Sequence, residues 1–266
     1  MSFDLDALDP RYRTILCDIW GCVHDGIALY PGAAERLLRW RGEGRTVVLI
    51  TNAPRTAEAV ETQLAQIGLP RGAWDDISTS GEAGIAALLA LGEPVGFIGT
   101  PDDREVIDGR QVPFAAVARH VACTGLFPDR PEVEEHRPLL EQMRGEDAVL
   151  HCLNPDRVVM RGTVEEPCAG ALGDLYQEMG GEVRWYGKPH GAIYVHALGL
   201  AGDPPLESVL AVGDSLRTDI LGAARAGIDA LFVAGGIHRG EGIPASFAAE
   251  NGLGDWRPVA VVASLG

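Results

Sequence analysis

Lysine is almost absent from this chain: of 22 basic residues, 21 are arginine and only Lys188 is lysine. Where charge alone matters, this composition uses arginine. A position that keeps lysine is one where a compact ammonium on a mobile stem is needed and a planar fork will not do. The plainer alternative is that one exception among 22 is an accident. Positive charge is scarce as a whole. Asp plus Glu number 38, the formal net charge is −16 and the pI is about 4.8. Such a chain repels nucleic acid and anionic membrane at long range, so neither is an expected partner, while a local site can still hold a small phosphorylated ligand. The five cysteines (Cys17, Cys22, Cys123, Cys152, Cys168) are odd in number and form no pair of CxxC motifs. That excludes a disulfide scaffold or zinc ribbon and points to a reducing cytoplasm. No apolar run approaches the roughly 18 residues of a membrane span, and the acidic start MSFDLDALDPRYRT resembles neither a signal nor a transit peptide. Internal repeats, low-complexity tracts and heptads are also missing.

What remains is 266 residues with 46% apolar content, enough for one large domain or two small ones. Residues 13–19 (RTILCDI) are a short apolar run stopping at an acid and a glycine, which fits a buried strand ending in a loop. Helical spacing over 32–43, a strand at 46–50 ending in Thr51-Asn52, and a helix over about 55–67 closed by Gly68 make a βαβ pattern. The pattern returns as a helix over 190–199, a strand at 208–212 ending in Gly213-Asp214, a helix over 217–226 and a strand at 229–234. The stretch between carries helices over 81–91, 131–144 and 168–179 and strands at 94–98, 119–123, 148–152 and 157–161. The expected fold is α/β: a Rossmann-like core of parallel sheet with helices on both faces, built from 1–79 and 184–266, with a second small α/β domain, 80–183, inserted. Open parallel sheets bind ligands outside the carboxyl ends of their strands. Asp18, Thr51-Asn52 and Asp214 should therefore converge, although they are far apart in sequence.

The residue types at those ends carry chemistry. A carboxylate such as Asp18, followed by Gly21 and Gly26, can attack phosphorus and hold a cation; the plainer reading is a turn or cap aspartate. Asp214 and Asp219, in GDSLRTD, suit a hard cation with oxygen ligands; Asp219 could equally cap the helix that follows. Thr51-Asn52 offers a hydroxyl and backbone N–H groups for a phosphate, or a plain Asx turn. Lys188 sits in the turn Tyr186-Gly187-Lys188-Pro189.

Taken in chain order, the Asp18 strand end, LITNAPR with Thr51, TSGEA, YGKPHGAIY with Lys188 and AVGDSLRTDILGA with Asp214 and Asp219 resemble the haloacid dehalogenase (HAD) superfamily of hydrolases. The insertion point resembles that of the class IIA cap branch, which holds nucleotide, sugar-phosphate and pyridoxal-phosphate phosphatases. The resemblance covers nearly the whole chain. It implies that Asp18 is a nucleophile forming an aspartyl-phosphate and a Mg²⁺ ligand. Thr51 and the Asn52 N–H would bind phosphoryl oxygens, and Lys188 would neutralise charge on Asp18 and the phosphoryl group. Asp214 would ligate Mg²⁺, with Asp219 and Ser215 in or beside its coordination, and the backbone carbonyl of Trp20 would complete the metal set. Asn154, Asp156, Cys168 and Gly170 fall on cap loops that lie near substrate in related chains. The substrate class is then a small phosphorylated metabolite; the sequence does not fix the oligomeric state, for which a homodimer is a fair prior among soluble chains.

One position departs from the family. Most of its phosphatases read Asp-x-Asp, and the second Asp protonates the leaving group. Here Trp20 takes that place in a D-x-W-G-x-x-H-D-G pattern shared by a minority subgroup. Indole is no acid at neutral pH, and general acid catalysis contributes about 10²–10⁴-fold. His24 or Asp25 in the same loop are the candidate replacements; the plainer reading of His24 is a solvated loop residue. Two alternatives follow: a metal-independent dehalogenase-like hydrolase, against which the Asp214/Asp219 pair argues, and a weakly active phosphate-binding or regulatory protein. The remaining histidines, His120, His136, His151, His190, His196 and His238, show no ligand spacing and read as structural or exposed.

Overall fold

The computed structural model describes residues 3–110, 112–116, 118–161, 164–236 and 242–266, which leaves His238 outside it. Its strands in chain order are β1 (Thr14–Asp18), β2 (Thr46–Thr51), β3 (Asp76–Thr79), β4 (Val95–Ile98), β5 (His120–Cys123), β6 (Val149–Cys152), β7 (Val158–Arg161), β8 (Val164–Pro167), β9 (Glu182–Trp185), β10 (Val209–Gly213), β11 (Asp229–Val233) and β12 (Ala260–Val262). The chain divides into two compact units.

The first unit comprises 1–51, 58–78 and 188–266. Its sheet has six strands in the order β12-β11-β10-β1-β2-β3, with β1 parallel to both β2 and β10 and β10–β12 parallel in turn. Every residue of β1 and β10 is buried, as expected of central strands covered on both faces, whose sequences then read as unbroken apolar runs. Leu16, Val48, Ile50, Ala211 and Phe232 pack with Ile193, Tyr194 and Ala197 of the helix Gly191–Leu200 and with Ile220 and Ala223. Gly68, at φ 95°, ends the helix Ala57–Ile67 in the left-handed conformation expected of a helix C-cap glycine. The helix expected over 217–226 is shorter and opens differently. Leu216–Ile220 form a π-helical turn, and the α-helix proper is Leu221–Arg225.

The second unit comprises 52–57 and 79–187. It holds a four-stranded parallel sheet, β4-β5-β6-β9, and the antiparallel pair β7-β8. Val121, Leu140, Leu150, Leu172 and Tyr176 form its own core. Its edges differ from 80–183 for two reasons. A boundary at 183/184 would cut β9, which pairs with β6 as far as Trp185. The turn 52–57 is tied to this unit by Gly81 N–H donating to the Ala53 carbonyl, Thr79 Oγ1 to the Arg55 carbonyl and Ala57 N–H to Glu82. Thr79 also caps the helix Ser80–Leu91 by accepting from Glu82 N–H.

Candidate active site

The strand order reverses direction in the chain between β1 and β10, and such a switch point opens a crevice at the carboxyl ends of the strands. Asp18 is the last residue of β1, opposite Ile50 of β2, so Thr51 is one residue beyond it on the neighbouring strand. Asp214 directly follows β10. Lys188, which opens the C-terminal segment of this unit, reaches into the same place. Its Nζ donates to Asp18 Oδ1 at 2.5 Å, to Asp219 Oδ1 at 2.6 Å and to the Ile50 carbonyl at 3.5 Å. Asp18, Asp214, Asp219 and Lys188 are each at most 5% exposed.

Three buried carboxylates beside one ammonium leave an excess of negative charge. Burial pushes the Asp18 carboxyl well above the usual carboxylate range, and Asp219 and Asp214 add to this against the opposing pull of Lys188. Burial works against the Lys188 charge, yet Asp18 and Asp219 outweigh it and hold the ammonium well above the usual lysine range. Both directions mark a site that gains from added positive charge.

A carboxylate oxygen of Asp18, one of Asp214 and the Sγ of Cys22 lie within 4.8 Å of one another. Glycines make the room. A Cβ on Gly21 would fall 2.1 Å from Asp214 Oδ2, and one on Gly236 would fall 2.2 Å from the same atom. Gly21 also sits at φ 91°, which side chains other than hydrogen rarely adopt. The donor set, two hard carboxylates in a space kept clear by glycine, fits a divalent cation such as Mg²⁺.

Asp219 was expected among the metal ligands; both its oxygens accept hydrogen bonds within the site. Oδ1 accepts from Lys188, and Oδ2 accepts from Ser215 N–H at 3.1 Å and Thr218 Oγ1 at 3.4 Å. The π-helical turn creates this arrangement: the Ile220 N–H reaches back to the Ser215 carbonyl, and the widened turn aims Asp219 inward. Asp219 thus holds the Lys188 ammonium in place. Tyr194 supports it by donating its hydroxyl to the Asp219 carbonyl at 3.1 Å.

The loop after Asp18 changes several readings. His24 is 2% exposed, not solvated. Its Nδ1 accepts from Gly26 N–H at 2.9 Å, and burial lowers its pKa, so the ring is neutral near pH 7. Asp25 is exposed and accepts from Ala28 and Ile27 N–H, which hold its carboxyl below the usual range. Neither is suited to give a proton at neutrality. The Trp20 indole, 37% exposed, lies over Gly26 and tilts against His24 with ring centroids 5.9 Å apart.

The residues expected on the cap side, Asn154, Asp156, Cys168 and Gly170, fall in the second unit. Asn52 Nδ2 donates to Asp156 Oδ1 at 2.8 Å. Asn154 Oδ1 accepts from Asp156 N–H, closing an Asx turn. Gly170 is glycine because a Cβ would sit 2.3 Å from the Pro155 carbonyl oxygen. Cys168 is buried, its thiol 3.9 Å from the Glu166 carbonyl. The histidines described are mostly buried and bonded: His136 accepts from Phe127 N–H, His120 and His151 bond each other, and His196 bonds Ser78. Cys22, not among the site residues expected from the sequence, lies beside Asp18 and Asp214. The available signal was its place four residues after Asp18 in the same loop.

Comparison with known proteins gives this arrangement a family. A family model described as haloacid dehalogenase-like hydrolase matches residues 15–112, and a second HAD-hydrolase-like model matches 185–266, together more than half of the chain. A solved haloacid dehalogenase-like hydrolase from Brucella suis 1330 is 32% identical, covers 100% of both chains and superposes with a TM-score of 0.85. The chain belongs to the haloacid dehalogenase-like hydrolases. Among curated HAD-family relatives, the D-glycerol 3-phosphate phosphatase of Mycobacterium tuberculosis is 29% identical over 252 residues, 88% of this chain. The match spans 66% of that longer protein. The ribonucleotide monophosphatase NagD of Escherichia coli K12 is 28% identical over 235 residues, 85% of this chain and 88% of that one. A 4-nitrophenylphosphatase from Thermotoga maritima, 21% identical with a TM-score of 0.76 over 96% of this chain and 95% of its own, shares the HAD fold.

Proposed function

We propose that this protein is a Mg²⁺-dependent phosphatase of a small phosphorylated metabolite, working through an aspartyl-phosphate on Asp18. The observation that carries the reading is the buried cluster of Asp18, Lys188, Asp219 and Asp214 at the ends of β1 and β10. The phosphatase names of the Mycobacterium tuberculosis and Escherichia coli relatives agree with it.

An oxygen of Asp18 attacks phosphorus while the bond from phosphorus to the leaving oxygen breaks. Lys188 donates to Asp18 Oδ1, fixing the carboxylate, and its charge offsets that of the incoming phosphoryl group. Asp219 keeps the ammonium from moving away. Thr51 and the Asn52 N–H are the proposed partners of the phosphoryl oxygens. A divalent cation held by Asp18, Asp214 and the Trp20 carbonyl would neutralise the charge shared by nucleophile and phosphoryl oxygens. Water then attacks the phosphorus of the aspartyl-phosphate, releasing phosphate and restoring Asp18. With tryptophan at position 20 and His24 neutral, the departing oxygen takes its proton from water. Substrates with good leaving groups, aryl and acyl phosphates, should therefore turn over best.

The excess of buried carboxylates argues against a metal-independent dehalogenase. Trp20 favours the second reading, a phosphate binder of low turnover. The five free cysteines agree with a reducing cytoplasm. The test is hydrolysis of a panel of aryl, acyl and alkyl phosphates with Mg²⁺, with chelator and in Asp18→Asn. Turnover that needs both Mg²⁺ and Asp18 supports the phosphatase. Phosphate binding without turnover on any member supports the binder.

A further inference from the structure

We propose that the Trp20 indole is a stacking platform for the leaving group, so that the favoured substrate is an aryl phosphate, a monoester whose aromatic ring is joined to phosphorus through the ester oxygen. The proposal rests on the phosphatase reading above and adds to it a specificity residue and a substrate class.

Three observations carry it. The first is position. Trp20 stands two residues beyond Asp18, the last residue of β1, and two residues of chain span at most about 7 Å. The next residue, Gly21, lies against Asp214, since a Cβ there would fall 2.1 Å from Oδ2. Trp20 is thus held beside the carboxylate cluster. The second is exposure. Tryptophan is among the largest side chains to hide from water, and Trp40 and Trp74 of the same unit are 0% and 1% exposed, yet Trp20 is 37% exposed.

The third is the mounting of the ring. The indole lies over Gly26, where a Cβ would come within 3.0 Å of Cη2, and it tilts at 60° against the His24 imidazole. Gly26 is at φ 92°, which other residues rarely adopt. His24 Nδ1 accepts from Gly26 N–H at 2.9 Å and so fixes that glycine beneath the indole. The loop closes on itself: Gly21 N–H donates to the His24 carbonyl at 2.9 Å, Val23 N–H to the Ile19 carbonyl at 2.8 Å and Tyr30 N–H to the Val23 carbonyl at 2.9 Å. A ring mounted in advance loses little freedom when a ligand stacks on its open surface.

The chemistry of the leaving group agrees. As an Asp18 oxygen attacks phosphorus, the bond to the ester oxygen breaks and its electron pair stays on that oxygen. An aryl oxygen spreads this charge into its own ring, leaves as a phenolate and takes a proton from water afterwards. It needs no acid at position 20, and its ring gains a partner there. An alkyl oxygen gains neither.

The experiment measures binding and does not depend on turnover. Phenylphosphonate, cyclohexylphosphonate and methylphosphonate, whose P–C bonds resist hydrolysis, are titrated calorimetrically into the full-length protein with Mg²⁺. The same titrations are made with Trp20→Phe and Trp20→Leu, circular dichroism confirming the fold of each. The readout is the ratio of phenyl- to cyclohexylphosphonate affinity within one protein, which cancels any effect of a substitution on the phosphoryl site. The expected ratio is about three- to tenfold in the natural protein, retained at least in part in Trp20→Phe and lost in Trp20→Leu. In addition, 4-nitrophenylphosphonate should quench tryptophan emission in the natural protein, and most of that quenching should vanish in Trp20→Phe although the ligand still binds. A ratio near one in the natural protein, or an unchanged ratio in Trp20→Leu, overturns the platform; methylphosphonate binding would then leave the phosphatase reading standing. If none of the phosphonates binds, the phosphatase reading fails first and this proposal with it.

Discussion

Lys188 shows why one residue type is not interchangeable with another here. Its ammonium, 4% exposed, bridges two carboxylate oxygens at 2.5 and 2.6 Å. A guanidinium is larger and planar, and its donors are set in a fixed fork. Lys188→Arg should retain charge yet misplace Asp18, lowering kcat/KM for an aryl phosphate by about 100-fold or more; near-normal kinetics would show that charge alone suffices. Trp20 poses the opposite case, a residue that lacks a function its position usually supplies. On the proposed mechanism, Trp20→Asp would supply the carboxyl that protonates the leaving oxygen. Turnover of alkyl phosphates should rise by about tenfold or more, with aryl phosphates changing less. Equal effects on both substrate types would mean that proton delivery does not limit the reaction.

Among the elements, the π-helical turn Leu216–Ile220 and the glycines around Asp214 place charges where regular structure would not. The sheet of the second unit carries a different device. Across β5, β6 and the residue after β9, His120 Nδ1 bonds His151 Nε2 at 3.0 Å and His151 Nδ1 bonds the Tyr186 hydroxyl at 2.7 Å. Burial, with the nearby charges of His120 and Arg184, lowers the His151 pKa from 6.5 to about 3. The folded state therefore keeps this imidazole neutral while the unfolded chain protonates it. Its contribution to stability is full above pH 6.5 and is lost progressively as pH falls toward 3. In His151→Gln, which retains polar atoms but cannot titrate, the melting temperature should fall less steeply between those two pH values than in the natural protein. Parallel pH profiles would assign the acid sensitivity to other groups.

For the whole molecule, the dominant physical fact is charge. A chain of net charge −16 buries three aspartates around one lysine in the first unit. Folding such a cluster is costly until a cation joins it. Mg²⁺ at about 100 times its Kd should add about 2.7 kcal/mol to folding stability. At roughly 2–4 °C per kcal/mol for a chain of this size, chelator should lower the melting temperature by several degrees. Asp214→Asn should abolish that difference. An equal response to Mg²⁺ in the variant would mean that the ion acts through general charge screening instead.

The sequence by itself determined the α/β alternation, the strand ends and which residues meet in the buried acidic cluster. Buried parallel strands must read as apolar runs, and a lone lysine among arginines stands out in composition. Gly68 as a helix terminator was legible for the same reason, because only a flexible backbone ends a helix that way. β3, β8, β9 and β12 were not read from the sequence. β9, Glu182-Val183-Arg184-Trp185, alternates exposed and half-buried residues and so shows no apolar run. The tertiary structure alone decided who faces whom. It buried His24, tied Asn52 to Asp156, turned Asp219 toward Lys188 and brought Cys22 to the carboxylates of Asp18 and Asp214. Periodicity reports whether a residue is inside; which partner it meets depends on the turn geometry and strand order that bring distant segments together.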